Sequence, residues 1–438
     1  MLAGVSDNLA KYAQLRSVDL PNSALPAIRF DPQTPAPIPA SPRRPVSVRP
    51  HKLPPLPDDL EDLAFWPVTH LSTLVRTRQV TSRQLTEMYL ARLKRIGPRL
   101  ECVVTLIEEP ALEQARRADE EIAQGIYRGP LHGIPWGAKD LLATKGIKTT
   151  WGATPYKDQV IDMNATVVER LEAAGAVLVA KLTMGALAWG DVWFGGKTRS
   201  PWNTEEGSSG SSAGSGAATA AGLVGFAIGT ETYGSIVSPS TACGVSGLRP
   251  TFGRVSRHGA MALCWTLDKI GPMCRSVEDC ALVFDAIRGP DGYDPTVIDA
   301  PFDWPQRADF SKLRIGFVED EFAEDRPTKA LDAAVLDVLR GLGAELVPIK
   351  LPDYPIDAAQ IILWVEAAAA FDELTRSNRD DLLVRQSEDA WPNRFRVGRM
   401  VPAVEYIQAN RLRMRAMQAM NDLMADIDVY VSPSLGNA

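Results

Sequence analysis

The sequence predicts an α/β protein whose central sheet is covered by helices on both faces. Three observations carry this expectation. From about residue 167 onward, short apolar runs alternate with segments of helical periodicity, the pattern of strands joined through helices. The apolar runs are continuous, as in AVLVAKL at 176–182 and LRIGFV at 313–318, which is how strands buried on both faces read. The chain has 438 residues, 45% of them hydrophobic, enough to bury a large core without disulfides or metals.

The elements follow in order. Residues 1–59 form a Pro-rich arm, with twelve of the 33 prolines falling in residues 21–57. Proline lacks the backbone N–H and fixes φ, so neither sheet nor helix suits this stretch. The arm is expected to be extended and solvated. Packing against the body, or against a second subunit of a homo-oligomer, is the alternative. Residues 60–438 read as one large domain without internal repeats. Thr81 to Gln84 forms a capping box, and Leu85, Met88, Leu93 and Ile96 continue a helix that Gly97-Pro98 is expected to end. Residues 102–107 read as a strand and 110–125 as a helix with a charged, solvated face. Helix–strand pairs then succeed one another: 167–174 with 176–182, 217–223 with 224–229, 277–287 with 313–318, 331–342 with 344–349, and 406–427 with 429–432.

Composition narrows the function. Lys and Arg total 47 against 54 Asp and Glu, a net charge of −7, which argues against a nucleic-acid partner. No apolar run approaches 18 residues and the first twenty residues lack an apolar signal core, so neither a membrane span nor a secretory leader is expected. Five cysteines at 102, 243, 264, 274 and 280 include no CxxC pair. Reduced thiols in a cytoplasmic protein fit this pattern. Four histidines in the whole chain leave few imidazoles for base catalysis.

The segment EGSSGSSAGSGAATAAGLVGFAIGTETYGSIVSPSTACG from Glu206 is too tightly set between core elements to be a linker. Glycine-rich backbone in such a place permits close approach and unusual φ, and several converging N–H groups would suit a developing oxyanion. Gly195-Gly196-Lys197-Thr198 resembles the end of a phosphate-binding loop, but Asp191 stands where its first glycine is required. Gly210-Ser211-Ser212-Ala213-Gly214 fits the nucleophile elbow GxSxG with Ser212 as nucleophile. Its upstream residues are not strand-like, however, and His258 is the only histidine that follows. A second concentration is Gly133-Ile134-Pro135-Trp136-Gly137-Ala138-Lys139-Asp140, an apolar turn ahead of Leu141-Leu142. A lysine drawn inwards there loses pKa through desolvation and can serve as a neutral base for a serine nucleophile.

Together, Lys139 in GIPWGAKD, the SSAGS stretch, and TETYGSI ahead of SPSTACGVSGLRPTFGRVSRHG resemble the amidase signature family. The match runs from about Leu71 to Ile287 and continues weakly to Ser432. The resemblance implies a mixed, largely parallel central sheet sandwiched by helices, and a Ser–cisSer–Lys triad. Carried over, Lys139 is the base, Ser211 the bridging serine on a cis peptide bond after Gly210, and Ser235 the nucleophile. Ser212 is then a neighbour whose replacement is expected to be mild. Backbone N–H groups of Thr232, Tyr233, Gly234 and Ser235 form the oxyanion hole. No metal and no organic cofactor is required. The implied activity is hydrolysis of C–N bonds in small amides through an acyl-enzyme, extending to esters and carbamates (urethanes). A glutaminase-type component of an amidotransferase, and an esterase of α/β-hydrolase type using Ser212, are the alternatives.

Two departures from the family pattern stand out. Val237 replaces the usual Arg, so Glu231 is expected to find another partner, or water. The pattern also continues beyond Ser432 with further sheet and helix, so the family's C-terminal segment is expected to be missing. His132 and Asp140 read as structural, and Cys243 as a small packing group. Trp136, Trp151, Trp189, Trp193, Trp202 and Trp265 crowd the same stretch, and some of them are expected to line an apolar pocket.

Overall fold

In the computed structural model, the described residues are 46, 53–304 and 309–433. Most of the Pro-rich arm lies outside them. Eleven strands are formed among the described residues: β1 (Val103–Leu106), β2 (Pro135–Lys139), β3 (Val177–Leu182), β4 (Val192–Trp193), β5 (Gly196–Lys197), β6 (Phe226–Glu231), β7 (Ser246–Gly247), β8 (Lys269–Cys274), β9 (Arg314–Val318), β10 (Glu345–Ile349) and β11 (Val429–Val431). Six make the main sheet, in the order β1-β3-β2-β6-β8-β7. β3, β2 and β6 are mutually parallel, and β1 and β8 run against them. β7 opposes β8 and so returns to the direction of β6. The sheet is therefore mixed, with four of its six strands pointing one way. β10-β9-β11 form a separate parallel sheet, and β4-β5 a short ribbon.

Residue alternation decides which face each side chain meets. On β2 and β6, Trp136, Ala138, Phe226 and Ile228 enter the larger core, where the Trp136 and Phe226 rings stack at 6.0 Å. The opposite face packs on the helix Ala213–Ala220: Val177, Val179, Leu182 and Ala227 meet Ala217 and Ala218. Gly137 belongs to this second face, where a Cβ would lie 2.3 Å from Leu182 Cδ1. Lys139, two residues on, closes β2 at the carboxyl ends of the parallel strands. An open α/β sheet places its ligands at that end.

Element by element, the α/β reading holds, and its departures have local causes. The helix from Ser82 continues to Leu100 with Pro98 in its last turn, and Glu101 ends it in the left-handed conformation at φ 48°. A proline so near the C-terminus forfeits one helical hydrogen bond without breaking the helix. The Gly133–Asp140 stretch contains a strand, with Pro135 at its first position, where a missing N–H is tolerated. The helix expected from Ala217 starts at Ala213. All five cysteines are buried and free. No helix among the described residues is long and apolar enough to cross a membrane.

The capping box is formed. Thr81 Oγ1 accepts the Gln84 N–H at 3.0 Å, and Gln84 Oε1 accepts the Thr81 N–H at 2.9 Å. Thr81→Ala is expected to lower stability by about 1 kcal/mol, read as a shift of the urea midpoint at unchanged slope.

Candidate active site

The glycine- and serine-rich loop before the helix Ala213–Ala220 and the turn after β6 meet over the end of β2. Lys139 is fully buried, and its Nζ lies within hydrogen-bond distance of four oxygens. These are Ser211 Oγ at 2.9 Å, Ser212 Oγ at 3.0 Å, Thr230 Oγ1 at 2.9 Å and Thr230 O at 3.2 Å. Burial pulls the Lys139 pKa down from 10.5 to about 7, against the opposing pull of Asp268 and Glu231. The peptide bond between Gly210 and Ser211 is cis. Gly210 has no room for a side chain, since a Cβ there would sit 1.9 Å from the Gly190 carbonyl oxygen.

Ser212 is fully buried and saturated. Its Oγ accepts from Lys139 Nζ and from the Thr230 N–H at 3.1 Å, and donates to Thr230 O at 3.0 Å. The loop ahead of it is not a strand, so the nucleophile-elbow geometry is absent. These three bonds give Ser212 a structural part in the site, beside its expected minor part in hydrolysis.

Ser235 is the triad candidate that reaches the surface of a cavity of about 370 Å³, together with Gly210, Thr232 and Tyr233. Lys139 and Ser211 lie buried beneath it. The turn that carries Ser235 is held by Glu231, whose Oε2 accepts the N–H groups of Ile236 at 2.9 Å and Val237 at 3.0 Å. Arg249 supplies the charge partner at 3.7 Å, in place of the arginine that Val237 replaces. Gly234 takes φ +90°, a conformation that favours glycine. The Ser235 carbonyl accepts the Ser212 N–H at 3.1 Å, tying the turn to the serine loop. The N–H groups of Tyr233, Gly234 and Ser235 have no partner among the described residues. Thr232 Oγ1 donates to Asp268 Oδ1 at 2.5 Å. Asp268 also accepts the N–H groups of Leu263 and Cys264.

The neighbours read as structural are placed as follows. Asp140 accepts the Thr150 N–H at 2.9 Å and pairs with Lys181 at 3.2 Å, both side chains fully buried. His132 Nδ1 accepts the Arg128 N–H, and its Nε2 faces Glu121 at 3.1 Å. Burial lowers the His132 pKa, which keeps the ring neutral. The Cys243 thiol is pushed up to about 12 by burial. Among the described residues, no group of three or more His, Cys, Asp or Glu side chains is placed to hold a metal ion.

Of the six tryptophans in the catalytic stretch, Trp189 lines this cavity and Trp265 an adjoining one. Trp136 and Trp151 are core residues, and Trp193 is buried. Trp202 is largely exposed and donates to the Cys243 carbonyl at 2.7 Å. Two wall residues come from far along the chain. Trp364 and Trp391, on the helices Gln360–Ala370 and Trp391–Gly398, meet Trp189 with ring centroids 6.0 and 4.8 Å away. Sequence spacing gave no sign of either, nor of Thr230 as a Lys139 partner, although Thr230 opens TETYGSI directly after the strand expected at 224–229.

Residues 84–438 match the family model described as Amidase. The chain is 36% identical over 396 residues to a glutamyl-tRNA(Gln) amidotransferase subunit of Methylococcus capsulatus, covering 84% of this chain and 81% of that protein. It is also 36% identical over 380 residues to the putative amidase AmiD of Mycobacterium bovis, covering 85% and 78%. The native peptide amidase of Stenotrophomonas maltophilia superposes with a TM-score of 0.69 at 31% identity, covering 80% of this chain and 79% of that one. The chain belongs to the amidase family and is an amide-hydrolysing enzyme.

Proposed function

We propose that the protein hydrolyses small amides through a Ser235 acyl-enzyme, with Ser211 as the proton relay and Lys139 as the base. The observation that carries this reading is the sealed Lys139 amine, in contact with Ser211 beneath the cavity that Ser235 lines. The hydrogen-bond pattern has room for a neutral amine. Ser212 Oγ already donates to Thr230 O, so it must accept one Lys139 N–H, and the Thr230 carbonyl can only accept the other. The lone pair is then left for the Ser211 or Thr230 hydroxyl. A pKa of about 7 matches a base that must take and return a proton near neutral pH.

In the proposed cycle, Ser235 Oγ attacks the amide carbonyl as its proton passes to Ser211 Oγ, while the Ser211 proton passes to Lys139. The carbonyl oxygen, now anionic, is received by the unpaired N–H groups of the 232–235 turn. Such a donor typically contributes about 3 kcal/mol to the transition state. Ser211 then gives a proton to the leaving nitrogen, recovering one from Lys139, and the C–N bond breaks. Water attacks the acyl-enzyme with the same groups in reverse. Esters and carbamates fit the same route, because each yields an acylated Ser235. The walls formed by Trp189, Leu363, Trp364 and Trp391 favour apolar or aromatic substituents. The 36% identity to a component of an amidotransferase favours a second reading, glutamine hydrolysis inside a larger complex. Turnover of aryl amides by the isolated chain, with free glutamine left intact, supports the first reading. Glutamine turnover that requires added partner proteins replaces it with the second.

Three outcomes are expected. Ser235→Ala abolishes hydrolysis at unchanged thermal stability, whereas Ser212→Ala lowers stability by about 1–3 kcal/mol by stranding buried hydrogen-bond partners. The reverse pattern would return the nucleophile to Ser212. The pH profile of kcat/KM falls on the acid side with a midpoint of about 7, because protonation below that pH removes the base. Lys139→Met removes this limb and nearly all amide turnover, and spares esters more than amides, whose leaving nitrogen needs the returned proton. A Lys139→Met enzyme that keeps most of its amidase rate rules the assignment out.

A further inference from the structure

A second cavity of about 280 Å³ adjoins the first and shares Ala188, Thr232 and Leu263 with it. Met261, Trp265 and Ile270 are among its apolar walls, and Arg257, Asp268, Lys269 and Asp294 also line it. Lys269 Nζ makes one hydrogen bond among the described residues, to the Thr232 carbonyl at 3.2 Å. Lys269 is half-buried, and the two fully buried lysines are engaged: Lys139 has four oxygen neighbours, and Lys181 pairs with Asp140 and bonds to Leu142 O and Thr149 Oγ1.

The carboxylates acting on Lys269 are Glu231 and Asp268, and neither forms an ion pair with it. Glu231 is committed to Ile236, Val237 and Arg249. Asp268 is committed to Thr232, Leu263 and Cys264. The other cation of this cavity, Arg257, is likewise consumed by Asp294 and by the Trp265 carbonyl. Lys269 therefore carries N–H groups that no side chain among the described residues takes up, at the wall of a cavity joined to the one that Ser235 lines.

We propose that this second cavity is an anion subsite, in which Lys269 receives a carboxylate at the far end of a substrate whose scissile amide lies at Ser235. The proposal rests on the amidase reading for the placement of the amide. The preferred substrates are then amides of dicarboxylic acids, or amides whose amine portion ends in a carboxylate. Thr232 lies between the two cavities, and its carbonyl is held by the same ammonium. An anion bound there thus touches the residue that opens the oxyanion turn.

The test uses the monoanilides of succinic, glutaric and adipic acids, with their methyl esters as uncharged controls. In the full chain carrying Ser235→Ala, calorimetry is expected to show at least one monoanilide binding tenfold or more tightly than its methyl ester, about what a hydrogen bond to a charged group is worth. Equal binding of acid and ester at every length would overturn the proposal without any change at Lys269. In the active enzyme, the ratio of kcat/KM for aniline release from acid over ester is expected to fall about tenfold in Lys269→Gln, which can still donate to the Thr232 carbonyl but carries no charge. An unchanged ratio would also overturn it. Failure of the amidase reading is distinguishable, because it abolishes turnover of all six compounds while leaving the calorimetric difference intact.

Discussion

A lysine amine with no exposure to solvent, ringed by four oxygens, sets the terms for its neighbours. Moving the Lys139 pKa from 10.5 to about 7 corresponds to on the order of 5 kcal/mol withheld from the charged form. The fold achieves this by ending β2 against two serines and a threonine rather than against a carboxylate. Lys181 shows the contrast. It sits on the neighbouring strand in register with Ala138, equally buried, but it faces Asp140 and so has an ion-pair partner. Burial lowers the pKa of Lys181 as well, but there the adjoining Asp140 pulls it back up through an ion pair. Between pH 7 and the ordinary lysine range, the unfolded chain holds a proton at residue 139 that the folded chain does not. Burial of Lys139 therefore weakens folding there, and stability rises with pH across that window.

The serine loop and the 232–235 turn, the proposed oxyanion hole, form one mechanical unit. Ser212 links Lys139 to both the N–H and the carbonyl of Thr230. The Ser212 N–H reaches the Ser235 carbonyl, and Glu231 pins the start of the following helix. Apart from the Ser212–Lys139 contact, each of these bonds engages backbone, which is how N–H groups can be kept aimed at one place. Replacing the family's arginine by Val237 leaves this arrangement standing, because Glu231 works mainly through backbone amides and finds Arg249 for the remaining charge.

Much of this was legible in the sequence because the proposed catalytic groups occupy short, ordered blocks. The strands at 176–182 and 224–229 announce themselves by continuous apolar runs, and the capping box at Thr81 by four residues. Lys139 and Ser235 stand in motifs whose spacing survives without any knowledge of the fold. What was hidden depends on contacts between distant segments. β2 reads as a turn because Gly133, Pro135 and Gly137 mask its periodicity, although Gly137 is needed for Leu182 to pack. Ser212 looks like a spare residue in a serine run until Thr230 is brought across from the next strand. Trp364 and Trp391 face Trp189 only because their helices fold back over the cavity, and no local pattern encodes that.

The placement of those helices divides the chain by task. Residues 139–235 supply the proposed bond-breaking groups and are knitted into the main sheet. Much of the aromatic wall, by contrast, is delivered from residues 360–391, which join the core through side-chain packing: Ile362, Leu363, Phe371 and Trp391. Substitution there can reshape the cavity without disturbing a hydrogen bond to Lys139 or to the oxyanion turn. Selectivity in this scaffold can therefore drift along one stretch of sequence while the reaction stays fixed in another, which lets a single catalytic apparatus be inherited by proteins with very different diets.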